Sequence, residues 1–189
     1  MPSANNQPPE AADVLADDHS EIDRLIHNVL TALERANKGQ SFELLDLVWA
    51  RLAVHIRAEH LCLFPSILGA PPVSFTGSGG TPQYDEAQSA IDLLRHDHDL
   101  FMRELGTAVN TLRTQKTGSD HDVFSKQLRD VRRCVVKVQS RLDQHNHLEE
   151  NHVYKWVNVL LGEAERVALT ARIRYELENT PPRLRSDAR

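Results

Sequence analysis

Residues 128–156 have the sequence LRDVRRCVVKVQSRLDQHNHLEENHVYKW, which contains one long apolar stripe. Its members recur at steps of three and four positions, the spacing of one face of an α-helix. Two histidines and a glutamate lie in phase with the apolar residues. The stripe is much longer than an average helix of a globular protein. We therefore predict a helix that spans a whole bundle, with this buried face: Leu128, Val131, Val135, Val138, Leu142, His145, Glu149, His152 and Trp156.

The motif His145-xxx-Glu149 in this stretch occurs a second time as His55-xxx-Glu59. Positions i and i+4 lie one above the other on a helix, so each motif directs an imidazole nitrogen and a carboxylate to one point. This arrangement suits a pair of metal ligands. The five residues after each glutamate also correspond in type, ending at Phe64 and Tyr154, which indicates a duplicated helical pair.

Three more segments complete a set of four long helices, because they share the helical period. The first is predicted to end near residues 37–39, and its stripe is Leu15, His19, Ile22, Ile26, Val29 and Leu33. The second carries His55; it is predicted to begin at Ser41 as N-cap and to end where Pro65 constrains the chain. The third is predicted to end at a break over residues 117–120, and its stripe is Ile91, Leu94, His98, Phe101, Leu105, Ala108 and Leu112.

These helices predict an all-α fold: an up-down-up-down four-helix bundle over residues 13–162, with a short extra C-terminal helix at 163–178. The apolar residues of that last helix are Val167, Ile173 and Leu177. Residues 1–12 are predicted to be a disordered N-terminal tail and residues 179–189 a polar tail. Residues 69–84 are rich in glycine, proline, serine and threonine, which predicts a long, mobile connection between the two halves.

The composition excludes several kinds of partner. A chain of 189 residues suits one domain, and Lys plus Arg number 22 against 27 Asp plus Glu, a formal net charge of -5. No basic stretch is interleaved with aromatic residues, so we expect no nucleic-acid partner. The first residues do not resemble a signal peptide and no apolar run has the length of a membrane span, so we expect a cytoplasmic protein with no membrane partner. Cys62 and Cys134 are predicted to be reduced thiols.

Six polar side chains lie in phase with the apolar stripes of the four helices: His19, His55, Glu59, His98, His145 and Glu149. Burial of such groups costs several kcal/mol unless each of them is paired, and a bound metal would pair all of them at once. Four imidazoles and two carboxylates suit iron, manganese or zinc better than magnesium or calcium, and we expect iron. If both glutamates and one solvent oxygen bridge two ions, each ion keeps one open position, which predicts reactivity.

The ordered combination of these motifs resembles the hemerythrin-like, or HHE cation-binding, family over roughly residues 13 to 160. The resemblance is carried by Asp18-His19, His55-xxx-Glu59 with Leu-Phe-Pro65, Asp97-His98-Asp99, and His145-xxx-Glu149-Glu150. It implies a four-helix bundle with a non-haem centre of two iron ions, bridged by an oxo or hydroxo group. It also implies a small partner, which would be dioxygen, nitric oxide, peroxide or iron itself.

The chain departs from the oxygen-carrying hemerythrins in two respects. Those proteins have five histidine ligands, two of them four residues apart on the third helix, whereas Leu94 and Met102 flank His98 at that spacing here. Their last ligand is an aspartate one residue further along than Glu149. Both departures match the HHE-type domains better, a group linked to iron and oxygen sensing, peroxide decomposition and repair of damaged iron–sulfur centres.

Three interpretations of function stay open at this point. The protein is a binding or sensing protein, in which ligand binding changes the order of a loop such as residues 69–84. Alternatively, it is a di-iron enzyme that decomposes peroxide or reduces oxygen, or it aids iron–sulfur repair. The third interpretation is a structural bundle whose polar stripe holds zinc or no metal. A stable absorption change with oxygen would favour the first, and release of oxygen from peroxide the second.

Other polar residues near the motifs have weaker assignments. His152 and His60 are alternative ligands, although a capping role or a place at the edge of the site is favoured for them. Cys62 is expected to be a small buried residue rather than a redox thiol. Asp18, Asp97 and Asp99 are candidates to orient the ligand imidazoles, and Glu150 is expected to be solvated or to support the site. The remaining histidines are predicted to be surface or ordinary polar residues: His27, His96, His121 and His147.

Overall fold

The computed structural model describes residues 10–114 and 121–179. Within these ranges the chain is helical and contains no strand, which confirms the all-α prediction. The α-helices are α1 (Ala11–Glu34), α2 (Lys38–Ala58), α3 (Phe64–Leu68), α4 (Tyr84–Thr114), α5 (His121–Leu148), α6 (Tyr154–Leu160) and α7 (Glu163–Glu178).

The bundle consists of four long helical rods: α1, α2 together with α3, α4, and α5 together with α6. α2 and α3 join through a π-helical turn at Glu59–Leu63, and α5 and α6 join through a second one at Glu149–Val153. α1 packs against α2 and α5, and α4 packs against the same two helices, so the four rods close a ring. This is the predicted up-down-up-down bundle. α7 lies outside the ring against α1 and α2, as the predicted extra C-terminal helix.

The ends of α1 and α2 differ from the sequence prediction. α1 ends at Glu34 rather than near residues 37–39, because Ala36 takes a positive φ of 51° and turns the chain out of the helix. The N-cap of α2 is Asn37, whose Oδ1 accepts the backbone N–H of Gln40 at 3.1 Å. The predicted N-cap, Ser41, lies inside the helix and is buried.

The rod formed by α2 and α3 does not end at Pro65. In the first π-helical turn the N–H of Phe64 donates to the carbonyl of Glu59, five residues back. Pro65 then lies in the first turn of α3, where a missing backbone N–H is tolerated. The helical path therefore continues to Leu68.

The connections between rods agree in part with the sequence prediction. Residues 69–83 form the long connection, with a short 3-10 turn at Pro72–Ser74 and left-handed glycines such as Gly80; its mobility stays a prediction. The predicted break at 117–120 lies outside the described residues. So do residues 1–9 and 180–189 of the two predicted tails, whereas the last two residues of the expected N-terminal tail belong to α1.

The described residues form two apolar core clusters, one toward each end of the bundle. Along α1, Leu15 belongs to the first cluster and Ile22 to the second, and His19 lies between them. Along α4, Leu94 and Phe101 flank His98 in the same way. The fold thus creates a polar layer across the middle of an apolar bundle. No helix within the described ranges has the length and apolar character needed to cross a membrane.

α7 has the predicted bounds but not the predicted buried face. Ile173 and Leu177 are buried, as expected, whereas Val167 is 63% exposed and Leu169 takes its place in the core. Two arginines of α2 bind the end of α7. Arg51 donates a hydrogen bond to the carbonyl of Leu177, and Arg57 donates one to the carbonyl of Glu176.

Candidate metal centre

The polar layer contains all six side chains that the sequence analysis singled out as metal ligands. Each is at most 3% exposed, and they come from all four rods. His19 lies on α1, His55 on α2 and His98 on α4. The remaining histidine and the two glutamates lie at the ends of α2 and α5, where the π-helical turns begin: Glu59, His145 and Glu149.

Two histidines from α1 and α2 form the first cluster. The Nε2 atoms of His19 and His55 are 3.1 Å apart. Glu149 Oε2 lies 3.2 Å from His19 Nε2, and Glu59 Oε2 lies 3.6 Å from His55 Nε2. These four side chains have ligand atoms close enough to hold one metal ion.

The second cluster repeats this arrangement with α4 and α5. The Nε2 atoms of His98 and His145 are 3.0 Å apart. Glu59 Oε2 lies 3.3 Å from His98 Nε2, and Glu149 Oε1 lies 3.1 Å from His145 Nε2. Both glutamates therefore belong to both clusters, and they are the only side chains that the two groups share among the described residues.

The donor atoms have the spacing and the unmet bonding capacity of a metal site. Two ligand atoms that bind the same ion at about 2.0–2.1 Å, with a right angle between the two bonds, are about 2.9 Å apart. The Nε2 separations of 3.1 Å and 3.0 Å in the two clusters are close to this distance. Glu59 Oε2 and Glu149 Oε1 are buried and have no hydrogen-bond partner in the structure. Buried carboxylate oxygens are rarely left without a partner, so this donor set fits a bound metal cation.

The hemerythrin HHE cation-binding domain matches residues 10–157 of the chain. The chain belongs to the hemerythrin family. The comparisons with curated proteins and with solved structures find no match. A family of cation-binding helical bundles agrees with the fold and with the paired clusters of the polar layer.

In this hemerythrin domain, aspartates hold the imidazoles of α2 and α5. His55 Nδ1–H donates to Asp18 Oδ2 at 2.9 Å, and Arg51 pairs with the other oxygen of Asp18. Asp97 Oδ2 lies 3.5 Å from His145 Nδ1, and Arg141 donates two hydrogen bonds to Asp97 Oδ1. These contacts direct the Nε2 atoms toward the clusters.

The imidazoles of α1 and α4 have different partners. His19 Nδ1–H donates to Glu150 Oε1 at 2.8 Å, whereas His98 Nδ1 lies 2.9 Å from His60 Nε2. Glu150 and His60 both directly follow a motif glutamate. Their contacts agree with the expectations that Glu150 supports the site and that His60 lies at its edge. Asp99, the third aspartate proposed to orient an imidazole, is exposed, so its assignment is wrong.

Tyr154 is a further component that the sequence analysis missed. Its hydroxyl donates to Glu59 Oε1 at 2.9 Å and lies 3.3 Å from Glu149 Oε2 and 3.2 Å from His19 Nε2. The second π-helical turn places it there, because its N–H bonds to the carbonyl of Glu149. Phe64, at the corresponding position of the first turn, stacks on His98 with ring centroids 6.0 Å apart.

The electrostatics of the layer favour positive charge between the carboxylates. Burial alone would lower the pKa of His55, but Glu59 and Asp18 raise it from 6.5 to about 10. Burial likewise opposes charge on His145, while Glu149 and Asp97 raise its pKa to about 9. Burial and the two nearby carboxylates raise the pKa of Tyr154 well above its ordinary value, so it stays a neutral hydroxyl that donates.

Several other candidate residues lie away from the clusters. His152 is exposed, because the π-helical turn shifts the buried face by one position, to Val153. The surface assignments of His27, His96 and His147 are confirmed by their exposure, and the side chain of His121 lies outside the described residues. Cys62 is 3% exposed and belongs to the apolar core, as expected.

Proposed function

We propose that this hemerythrin domain binds two iron ions in the polar layer and uses them to bind or sense dioxygen, nitric oxide, peroxide or iron. In this proposal His19 and His55 ligate one ion, and His98 and His145 ligate the other. Glu59 and Glu149 bridge the two ions. The observation that carries the proposal is the sharing of both glutamates by two otherwise separate donor clusters.

The chemistry of the donor set supports iron as the metal. Imidazole nitrogen and carboxylate oxygen together suit the divalent first-row metals better than magnesium or calcium. When bound, iron supplies a redox-active Lewis acid with an affinity for small oxygen- and nitrogen-containing ligands. Hydrogen bonds at Nδ1 of His19, His55 and His98 keep the Nε2 atoms of these rings directed inward, and Asp97 lies 3.5 Å from Nδ1 of His145. Phe64 and Phe101, both fully buried, exclude water from the side of His98 and His145.

A second candidate function is turnover of peroxide or oxygen by the same centre, and Tyr154 favours it. A neutral hydroxyl within the layer is placed to donate a hydrogen bond to a ligand there and to stabilise negative charge that develops on it. A part in the repair of iron–sulfur centres follows from the resemblance alone, because no described contact favours it.

We also propose a cytoplasmic protein whose partner is a small molecule. Cys62 and Cys134 are both free, which agrees with a reducing compartment. The net charge of -5 disfavours a nucleic-acid partner.

Metal analysis and absorption spectroscopy of protein from iron-supplemented cells test this proposal. We expect two iron ions per chain and absorption bands that change on anaerobic reduction and return on re-oxidation. A stable, reversible change with O2 or nitric oxide supports binding or sensing, and rapid O2 release on addition of peroxide supports the enzyme. One zinc ion per chain, with no response to reduction, contradicts both.

A further inference from the structure

The internal repeat of the chain allows the two proposed ion positions to be compared residue by residue. Each position has two imidazoles, and both positions share Glu59 and Glu149. The inner donors therefore do not distinguish the positions. Any difference in affinity must come from the side chains that hold these donors, and such supporting partners change metal affinity by about 10- to 100-fold.

The residue after each motif glutamate is the clearest difference. Glu150 places a carboxylate on Nδ1 of His19 at 2.8 Å, whereas His60 places an imidazole on Nδ1 of His98 at 2.9 Å. A carboxylate that accepts the Nδ1–H of an imidazole makes Nε2 a stronger donor to a metal than a neutral acceptor does. The contact between Glu150 and His19 therefore favours metal binding at the position between His19 and His55.

The contacts of the two aspartates with the imidazoles also favour the position between His19 and His55. Asp18 accepts a hydrogen bond from His55 Nδ1 at 2.9 Å. Asp97 lies 3.5 Å from His145 Nδ1, and that nitrogen has no hydrogen-bond partner in the structure. Each aspartate is also paired with one arginine, so the arginines do not offset the difference.

Charges around the two positions add to the contrast. On the side of His19, Asp23 lies close enough to interact with His19 and with the negative charges of Asp143 and Glu150. On the side of His98, the guanidinium of Arg95 lies 5.7 Å from the ring centroid of Phe64. The positive charge of Arg95 lowers the pKa of His60, and the negative charge of the exposed Asp99 raises it. Asp23 thus adds a carboxylate near His19, whereas the charges of Arg95 and Asp99 oppose each other near His60.

We propose that the two ion positions are inequivalent, and that the position between His19 and His55 fills first because Glu150 places a carboxylate on His19. Glu150 is a positioning residue in this proposal, since it acts on the metal through His19. The inference rests on the proposed function, because it requires two ions in the polar layer.

Titration of the metal-free protein with Co²⁺ under anaerobic conditions tests the order of filling. Calorimetry is expected to show two binding steps whose affinities differ by about tenfold or more. Crystals prepared with one equivalent of Co²⁺ are expected to show anomalous scattering mainly between His19 and His55. Equal occupancy of the two positions would overturn the inference.

Two reciprocal variants identify the cause. Glu150→Gln keeps an oxygen that can accept the Nδ1–H of His19 but removes the charge, so we expect the first step to weaken about tenfold and the second to change little. Glu150→Asp should restore part of the loss. His60→Glu places a carboxylate at the corresponding position and should strengthen the second step. Glu43→Gln, on an exposed part of α2, is the matched control and should change neither step.

The outcomes separate this inference from the proposed function. If the wild-type protein binds no Co²⁺ or a single ion, the proposed function fails. If it binds two ions but Glu150→Gln weakens both steps equally or neither, the proposed function stands and the inference is overturned. Thermal unfolding of each metal-free variant shows whether a loss of binding reflects the site or the fold.

Discussion

Tyr154 donates a hydrogen bond of 2.9 Å to Glu59, although the two residues belong to different copies of the internal repeat. The contact joins the second π-helical turn to the start of the first. It also breaks the symmetry of the layer, because the residue that corresponds to Tyr154 is Phe64, which has no hydroxyl. One side chain thereby links both proposed bridging carboxylates.

Removal of this hydroxyl by Tyr154→Phe should destabilise the metal-free protein by about 1–3 kcal/mol, because a buried carboxylate oxygen loses its donor. Urea unfolding measures the change in the free energy of unfolding. Tyr175→Phe is the matched control, since Tyr175 is 67% exposed. Equal effects of the two substitutions would show that the hydroxyl of Tyr154 has no special role.

The stability of the metal-free protein should fall as the pH rises from 7 to 10. The pKa values of His55 and His145 are about 10 and about 9 in the folded protein, against 6.5 for an ordinary histidine. The folded state therefore binds protons that the unfolded state releases, and this stabilisation is complete below pH 6.5 and lost through pH 9–10.

Each histidine contributes a slope of up to about 1.4 kcal/mol per pH unit in that range. Denaturant unfolding of the metal-free protein at several pH values gives the slope, and His55→Gln should reduce it. A free energy of unfolding that stays constant or rises between pH 7 and pH 10 is the opposite of this prediction.

Asp18→Asn should lower the affinity for Fe²⁺ about 10- to 100-fold, because His55 loses the carboxylate that orients its ring. Competition with a chelator of known affinity measures the change. The exposed neighbour Asp17 provides a control, and Asp17→Asn should retain wild-type affinity. If the two variants bind iron equally well, Asp18 does not support a ligand.

The packing of α7 allows a prediction on stability. Ile173 is fully buried, so Ile173→Ala should lower the free energy of unfolding by about 2–5 kcal/mol. Val167→Ala, on the same helix but 63% exposed, should change it by less than about 0.5 kcal/mol. Thermal and urea unfolding compare the two. A larger loss for Val167→Ala would show that α7 packs through its other face.

The sequence predicted the burial of the six polar side chains well, because polar residues at core positions of an amphipathic helix are conspicuous; that they ligate metal stays a prediction. His19, His55 and His98 each interrupt an apolar stripe. This pattern indicates that the three side chains are buried together. The sequence did not predict the π-helical turns. Their phase shift depends on packing between rods, so the uniform helical period placed His152 inward in place of Val153.

The sequence predicted Asp18, Asp97 and Glu150 as supporting residues, but not the imidazole that each of them contacts. The bond between Glu150 and His19 joins α1 to the second π-helical turn, and helical spacing within one segment carries no information on such pairs. The prediction of Ser41 as the N-cap of α2 was wrong for a local reason. Asn37 and Ser41 are both good caps, and the choice depended on how far α1 extends.

The most direct test of the proposed metal centre is the iron content per chain of His55→Ala and Glu149→Ala, measured beside the wild-type protein after iron-supplemented expression. We expect two iron ions per chain in the wild type and loss of most iron in both variants, with helicity by circular dichroism nearly unchanged. His27→Ala, which alters an exposed histidine of α1, should keep both ions. Full iron occupancy in His55→Ala and Glu149→Ala would contradict the proposed centre.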